Sequence, residues 1–316
     1  MKNSRFVLTG GLGNQLFQFA AALSHSEANV TKVELETRLG KPRTTEGIPD
    51  LLEFRIPNAT LHNSWSSVIN RALGYSLRIS LKSSNSFQIK ILKMCKKLTI
   101  SALSSLLIHN LVRVISPSNL GFDSSFNIAK KGALVIGYFQ SYRFFNHRPE
   151  CVEVLRNLEL AGGDPVELRD LRSLASIEKP LVVHIRRGDY RLEDNFGLLS
   201  ADYYTQVIPT LFASGKYGKI WLFSDDLESA VKCIPSELVD KVRLIDEIDK
   251  SPAATLQAMR LGYGYVIANS SFSWWGAFLS IQEGTEVHAP KPWFKGMEEP
   301  RDLLPPSWTC HQSIWE

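Results

Sequence analysis

The chain has 316 residues, 44% hydrophobic and 22% charged, with 36 Lys and Arg against 32 Asp and Glu. That is the make-up of a soluble globular protein of two domains or one large one, and a net charge of only +4 gives no bulk signal for nucleic acid. The four cysteines, Cys95, Cys151, Cys233 and Cys310, are scattered and form no C-x-x-C, which argues against a zinc site or a secreted disulfide scaffold and for a reducing cytosol.

Met1 to Arg5 leads straight into a short strand with no apolar signal region. No run reaches the about 18 apolar residues of a membrane span. The best candidate, Leu98 to Ile108, stops at His109. A cytoplasmic protein is expected. Arg5 to Thr9 reads as the first strand, followed by Gly10-Gly11-Leu12-Gly13-Asn14-Gln15 and a helix from Leu16 to Leu23. Strand, glycine turn and helix N-terminus form an anion-binding arrangement, with Gly11 and Gly13 letting a phosphate approach. A tight turn that simply needs glycine explains the same residues. Asn14 and Gln15 either cap the helix or face a ligand. Glu34 or Glu36, about 20 residues on, keeps a nicotinamide dinucleotide site open, although Leu16 stands where that fingerprint wants Gly or Ala.

Residues 64–116 carry Arg71, Arg78, Lys82, Lys90, Lys93, Lys96, Lys97 and Arg113 and no acid, which leaves 28 basic against 32 acidic residues elsewhere. Apolar residues recur between them. Such helices either have a solvated basic face or dock on anionic lipid. Ala133 to Phe139 reads as a strand running into Gln140-Ser141-Tyr142-Arg143-Phe144-Phe145, a mix that suits a sugar or a core edge. Gly162-Gly163-Asp164-Pro165 is a turn, and the domain boundary is placed there: 1–163 and 164–316, with a C-terminal tail able to pack back on the first domain.

The second half alternates strand and helix. Strand Leu181–Ile185 ends in Arg186-Arg187-Gly188-Asp189. Helix Ala201 to Phe212, strand Ile220–Phe223, strand Val242–Ile245, a helix from Pro252 to about Leu261, strand Tyr265–Ala268, helix Phe272 to Ile281 and a final strand Glu286–His288 follow. This predicts a doubly wound parallel sheet. Polar clusters sit at three strand ends: His184 to Asp189, Ser224-Asp225-Asp226 and Asn269-Ser270-Ser271. Ligands of open α/β sheets bind outside the carboxyl ends of the strands, so the clusters predict one crevice for a nucleotide-type ligand. With period 2, His184 and Arg186 share a side and Arg187 points away. The arginines are read as a pyrophosphate grip. The competing reading is a salt bridge in which Asp189 neutralises one of them. At least one of Trp274 and Trp275, at a helix start, is expected to be core packing.

Taken together, Gly10-Gly11-Leu12-Gly13-Asn14-Gln15-Leu16-Phe17-Gln18, His184-Ile185-Arg186-Arg187-Gly188-Asp189-Tyr190, Phe223-Ser224-Asp225-Asp226 and Ala268-Asn269-Ser270-Ser271-Phe272-Ser273-Trp274-Trp275-Gly276-Ala277 resemble the bacterial α-1,2-fucosyltransferases of glycosyltransferase family 11, in order and spacing, from near the N-terminus to about Phe294. The resemblance implies a GT-B fold of two facing Rossmann-like domains. It also implies GDP-β-L-fucose as donor, transfer with inversion to the 2-hydroxyl of a galactoside, and neither metal nor cofactor. By likeness to more distant fucosyltransferases, His184 lies by the guanine, Arg186 holds the β-phosphate, Asp225-Asp226 lie near the nucleoside and Ser271 contacts phosphate. Asn14 lies near the departing sugar.

One position departs from the pattern: Thr255 stands where an acid often reads the guanine edge, leaving Asp246, Glu247, Asp249 or backbone carbonyls to do so. Asp189 is the first candidate for a general base, with Asp194 or Glu193 second and the departing phosphate itself third. The expected partners are GDP-fucose and a β-galactoside oligosaccharide, with a lipid-linked form and an anionic membrane surface reached through residues 64–116. A nicotinamide-dependent oxidoreductase and a non-catalytic sugar-nucleotide or glycan-binding protein remain the alternatives.

Overall fold

A computed structural model describes residues 4–25, 33–36, 49–56, 59–62, 113–117, 120–124, 133–192 and 194–316. The basic stretch therefore lies almost wholly outside the described residues. The chain divides into two compact units, Met1–Glu159 with Met297–Leu303, and Leu160–Gly296 with Leu304–Glu316.

The first unit holds strands β1 (Arg5–Val7), β2 (Val33–Glu36), β3 (Ala59–His62), β4 (Arg113–Ile115) and β5 (Ala133–Val135), paired in parallel in the order β3-β2-β1-β5-β4. Helix α1 (Leu12–His25) follows β1, and α2 (Pro149–Arg156) comes after β5. Leu12, Leu16, Phe17, Phe19 and Leu23 are all buried, so α1 is apolar around most of its circumference and lies in the core. The helix begins at Leu12, four residues earlier than predicted, which brings Gly13, Asn14 and Gln15 into its first turn. Strand β5 stops at Val135, short of the predicted Phe139, whose φ of 54° puts it in the left-handed region.

The second unit holds α3 (Val166–Glu178), β6 (Leu181–Ile185), α4 (Ala201–Phe212), β7 (Ile220–Ser224), α5 (Leu227–Val231), β8 (Val242–Ile245), α6 (Pro252–Met259), β9 (Gly264–Val266), α7 (Ser271–Phe278), β10 (Glu286–Lys291) and β11 (Thr309–Gln312). Its sheet runs β11-β10-β9-β6-β7-β8, parallel throughout. Counted from β6 as the unit's first strand, that is the dinucleotide-fold order 3-2-1-4-5-6. Every residue of β6 is buried, as its unbroken β-branched run requires of a central parallel strand. Strand β11 was not foreseen. Thr309–Gln312 is short and largely exposed, so it carries no apolar run, and it is held by its register on β10, His288 opposite Thr309.

Trp221, Trp274, Trp275 and Trp293 are fully buried. Truncating a buried ring of this size typically costs about 3–5 kcal/mol. Both members of the Trp274-Trp275 pair are therefore core, with ring centroids 4.9 Å apart. The fold is α/β with a Rossmann-like sheet in each unit, the two such domains that the expected GT-B fold requires.

Candidate active site

The second unit's topology reverses between β6 and β9: the chain builds outward through β7 and β8, then returns to the other side of β6. The crevice of such a sheet opens at this reversal, beyond the strand carboxyl ends. The loops that meet there carry His184–Tyr190 and Asn269–Ser271, with Ser224–Asp226 on the next strand over.

Arg186 is the fixed cation of this region. Its Nη1 lies 3.1 Å from Asp225 Oδ2, and the two side chains are only 14% and 24% exposed. The other carboxylate oxygen, Asp225 Oδ1, accepts from the Arg187 backbone N–H at 2.8 Å. Asp225 thus holds the loop and the guanidinium at once. Gly188 makes this possible, since a Cβ there would run into the Asp225 carboxylate. The Arg186 guanidinium also lies 5.4 Å from the centre of the Tyr190 ring. Tyr190 in turn donates its hydroxyl to the Asn269 carbonyl at 3.0 Å, tying the loop after β6 to the loop after β9.

Arg187 is placed differently from the pyrophosphate grip expected of it. Its side chain runs into the interior, with the residue 4% exposed, and donates to the Glu316 carboxylate and the Cys233 thiol. The period of 2 is obeyed, and it takes the guanidinium away from Arg186. Asp225, expected near the nucleoside, also makes the arginine-orienting contact weighed for Asp189. Asp226 accepts from the Ser229 N–H as the N-cap of α5 and pairs with Arg191 at 3.1 Å. These contacts hold its carboxyl below the usual range. The Ser224 hydroxyl accepts from the Asp226 N–H at 3.0 Å. Asp189 opens a short helical turn, Asp189–Leu192. The Asp189 side chain and Glu193 lie outside the described residues, and Asp194 is exposed.

His184 is 3% exposed, 6.2 Å from the Phe272 ring, and its buried Nδ1 has no partner among the described residues. Burial first, and then the Arg186 charge, push its pKa down to about 3 against a smaller opposing pull from Asp225. The imidazole is neutral at physiological pH and can donate one hydrogen bond and accept another.

The Asn269-Ser270-Ser271 run divides by function. Asn269 is 1% exposed and its Nδ2 donates to the Phe196 and Gly197 carbonyls at 3.0 and 3.1 Å, so it anchors a loop instead of meeting a ligand. Ser270 caps α7 by accepting from the Phe272 N–H, and the buried Ser273 hydroxyl bonds back to the Ala268 and Ser270 carbonyls. Ser271 alone, half-buried on the first turn, keeps a hydroxyl without a partner among the described residues.

Thr255 is spent on structure. Its Oγ1 accepts from the Ile248 N–H and donates to the Ser251 carbonyl, each at 2.9 Å. Asp246, Glu247 and Asp249 are exposed beyond β8, with Asp249 and Lys250 both in left-handed backbone, φ 50° and 52°.

In the first unit the glycine turn is fully accounted for. Gly10 has φ 78°, and a Cβ there would lie 2.7 Å from Asn14 Nδ2. A Cβ on Gly11 would meet nothing within 4 Å, so that side of the turn is open. Gly13 is buried in the first turn of α1. Gln15 and Gln18 are buried staples. Gln15 donates to the Gly10 carbonyl and accepts from the Leu51 N–H, both at 2.8 Å; Gln18 accepts from the Thr9 N–H and donates to the Gly137 carbonyl. Leu16 is wholly buried where a dinucleotide turn would need a small residue. Of this motif, Asn14 keeps a half-buried amide, whose Oδ1 accepts from Gln140 Nε2 at 2.9 Å. Gln140 and Tyr190 carried no individual role in the sequence reading, because their partners are far away along the chain.

Residues 138–310 match the model of glycosyl transferase family 11, more than half of the chain. An alpha-1,2-colitosyltransferase of Escherichia coli is 27% identical over 311 residues, covering 95% of this chain and 96% of the relative. The O-antigen biosynthesis glycosyltransferase WbnK of Escherichia coli is 33% identical over 130 residues, 40% of this chain and 42% of that protein. Among solved structures, fucosyltransferase NodZ from Bradyrhizobium is 14% identical, with 87% of this chain and 91% of that chain covered at a TM-score of 0.48.

Proposed function

The chain belongs to glycosyl transferase family 11, and from that premise we propose that it moves L-fucose from GDP-β-L-fucose to the 2-hydroxyl of a galactoside, with inversion, in the synthesis of O-antigen or another surface polysaccharide. The observation that carries this reading is the Arg186–Asp225 clamp at the reversal of a dinucleotide-type sheet. It is a fixed cation where a nucleoside diphosphate is expected.

The acceptor oxygen attacks the anomeric carbon as the bond to the diphosphate breaks, and GDP leaves with the bonding electron pair. Negative charge grows on the β-phosphate. Arg186 meets it without having to reorganise, because Asp225 already holds the guanidinium; such preorganised donors supply much of an enzyme's rate enhancement. Ser271 adds a hydroxyl donor to phosphate. Neutral His184 serves the nucleoside, where a permanently charged group would gain nothing. In the first unit Asn14 offers an amide donor to an anionic ligand. The proton of the acceptor hydroxyl goes to Asp189 in this mechanism, or to the departing phosphate if Asp189 only orients the loop.

A second donor is favoured by a specific observation. The relative that spans nearly all of this chain is named a colitosyltransferase, and colitose is fucose lacking its 3-hydroxyl. The acceptor is read as a lipid-linked β-galactoside oligosaccharide met at the cytoplasmic face of the membrane. Calorimetric titration with GDP, GDP-fucose and NADH tests the reading. Binding of both guanine ligands and not NADH supports it; binding of NADH alone would return the chain to oxidoreductase chemistry.

A further inference from the structure

The first unit has a reversal of its own: β1 is followed outward by β2 and β3, while β5 lies on its other side. Asn14 and Gln140 come from the segments beyond those two central strands. Gln140 is 9% exposed and donates from Nε2 to Asn14 Oδ1. The loop that carries it is tightly determined. Phe139 is held in left-handed backbone with its ring against Phe144 at 5.3 Å. The Gln140 N–H donates to the Leu120 carbonyl at 2.8 Å, and the Ser141 hydroxyl donates to the Asp302 carbonyl at 2.6 Å. Backbone held in a sparsely populated region marks a place that the surroundings over-determine.

This arrangement fixes which end of the Asn14 amide is available. Its oxygen is taken by Gln140, so what remains is the nitrogen with its N–H groups, beside the space that Gly10 leaves by having no side chain. The opposite orientation of the two amides is disfavoured. Gln140 Oε1 is buried without a partner among the described residues. A reversed Gln140 would bury unpaired N–H groups there, which proteins tolerate less well than an unpaired carbonyl oxygen. An amide nitrogen at the head of a helix suits an anion, and an amide oxygen in its place would repel one.

We propose that Gln140 is a positioning residue that makes Asn14 a hydrogen-bond donor toward an anionic oxygen of the sugar nucleotide. The proposal rests on the donor reading given above. Gln140→Glu should reverse the pair, because a carboxylate accepts from Asn14 Nδ2 and turns Oδ1 outward. Gln140→Met keeps the length of the side chain and removes only the hydrogen bond.

The test has two parts. In the free protein labelled with ¹⁵N-asparagine, the Asn14 carboxamide signals, identified by their absence in Asn14→Ala, should move in Gln140→Glu and Gln140→Met; unmoved signals in both overturn the proposal. With GDP-fucose and a β-galactoside, Gln140→Glu should lower turnover at saturating donor by roughly 10²–10³-fold, the scale of losing a preorganised donor, and Gln140→Met by about tenfold. In the Asn14→Ala background neither should matter by more than about twofold, because residues acting as one unit are non-additive. Equal losses in both backgrounds, or none in either, overturn the proposal. A wild-type protein that turns over no sugar nucleotide would instead defeat the donor reading, and the carboxamide signals would still decide the role of Gln140.

Discussion

Replacing Asp225 by Asn should damage stability modestly and turnover severely. The Asn oxygen can still accept from the Arg187 N–H, now 2.8 Å from Asp225 Oδ1, but without charge. A hydrogen bond to a charged group is worth about 1.5–3 kcal/mol against about 1 for a neutral one, so roughly 1 kcal/mol goes here. The Arg186 pair at 3.1 Å is mostly but not wholly shielded, at 14% and 24% exposure. It falls between exposed pairs worth about 0–1 kcal/mol and buried pairs whose breaking costs about 3–5. A total loss of about 2–3 kcal/mol follows, which is a fall in Tm on the order of 5–10 °C for a unit of this size. Turnover should fall about 10²-fold, because a guanidinium released from its clamp no longer meets the phosphate in a fixed position. Gly188→Ala should reproduce the defect by pressing on the same carboxylate. Arg186→Lys, with Asp225 intact, should lose as much turnover while melting near wild type, since a point charge does not replace a planar fork. Calorimetric melting and initial rates of GDP release measure both quantities. An Asp225→Asn protein that melts and turns over like wild type would refute the clamp.

Asp189→Asn should lower turnover by roughly 10²–10⁴ with donor affinity little changed if Asp189 takes the acceptor proton; weakened GDP binding with turnover retained would make it a loop-orienting residue. The His184 imidazole should show no titration in NMR spectra between about pH 8 and about pH 5, because burial holds its pKa near about 3. The unfolded chain takes up that proton near the ordinary histidine value of 6.5, so the group makes stability rise with pH between about 3 and 6.5 and fall on acidification, which acid titration of ΔG measures. The basic stretch 64–116 should carry the protein down with vesicles of anionic lipid and not neutral lipid, at about 1 kcal/mol per engaged lysine. Replacing Lys90, Lys93, Lys96 and Lys97 by Gln should release it, and no change on that replacement would end the idea.

The second sheet was legible because its central strands β6 and β7 are buried runs and three of its helices begin with recognisable caps: Asp226, Ser251-Pro252 and Ser270 stand where those helices start. Strand β11 was not legible, since an exposed edge strand is set by its neighbour and has no pattern of its own. The site was legible in place and less so in role. Alternation along β6 correctly separates Arg186 from Arg187, but not which arginine finds an interior partner, because Cys233 and Glu316 are distant in sequence. In the same way Asn269, Gln15 and Gln18 look like ligand-facing polar groups, and each is consumed by backbone atoms of another loop. Much of what makes these motifs recognisable is therefore scaffolding, which leaves Arg186, His184, Ser271 and Asn14 as the groups to which the proposed mechanism gives chemistry.

The most direct test of the central claim is the product. Purified protein supplied with GDP-fucose and, separately, GDP-colitose, together with a β-galactoside, should release GDP and form a disaccharide whose NMR spectrum shows an α linkage to the galactose 2-hydroxyl. Donor choice is the sensitive part, since a site that hydrogen-bonds a substrate hydroxyl rejects the analogue lacking it by roughly 10⁴–10⁵-fold. Preference for GDP-fucose with an α-1,2 product is the predicted result. An α-1,2 product from GDP-colitose alone would reassign the donor and keep the mechanism; no transfer from either, or a product with retained β configuration, would contradict the account.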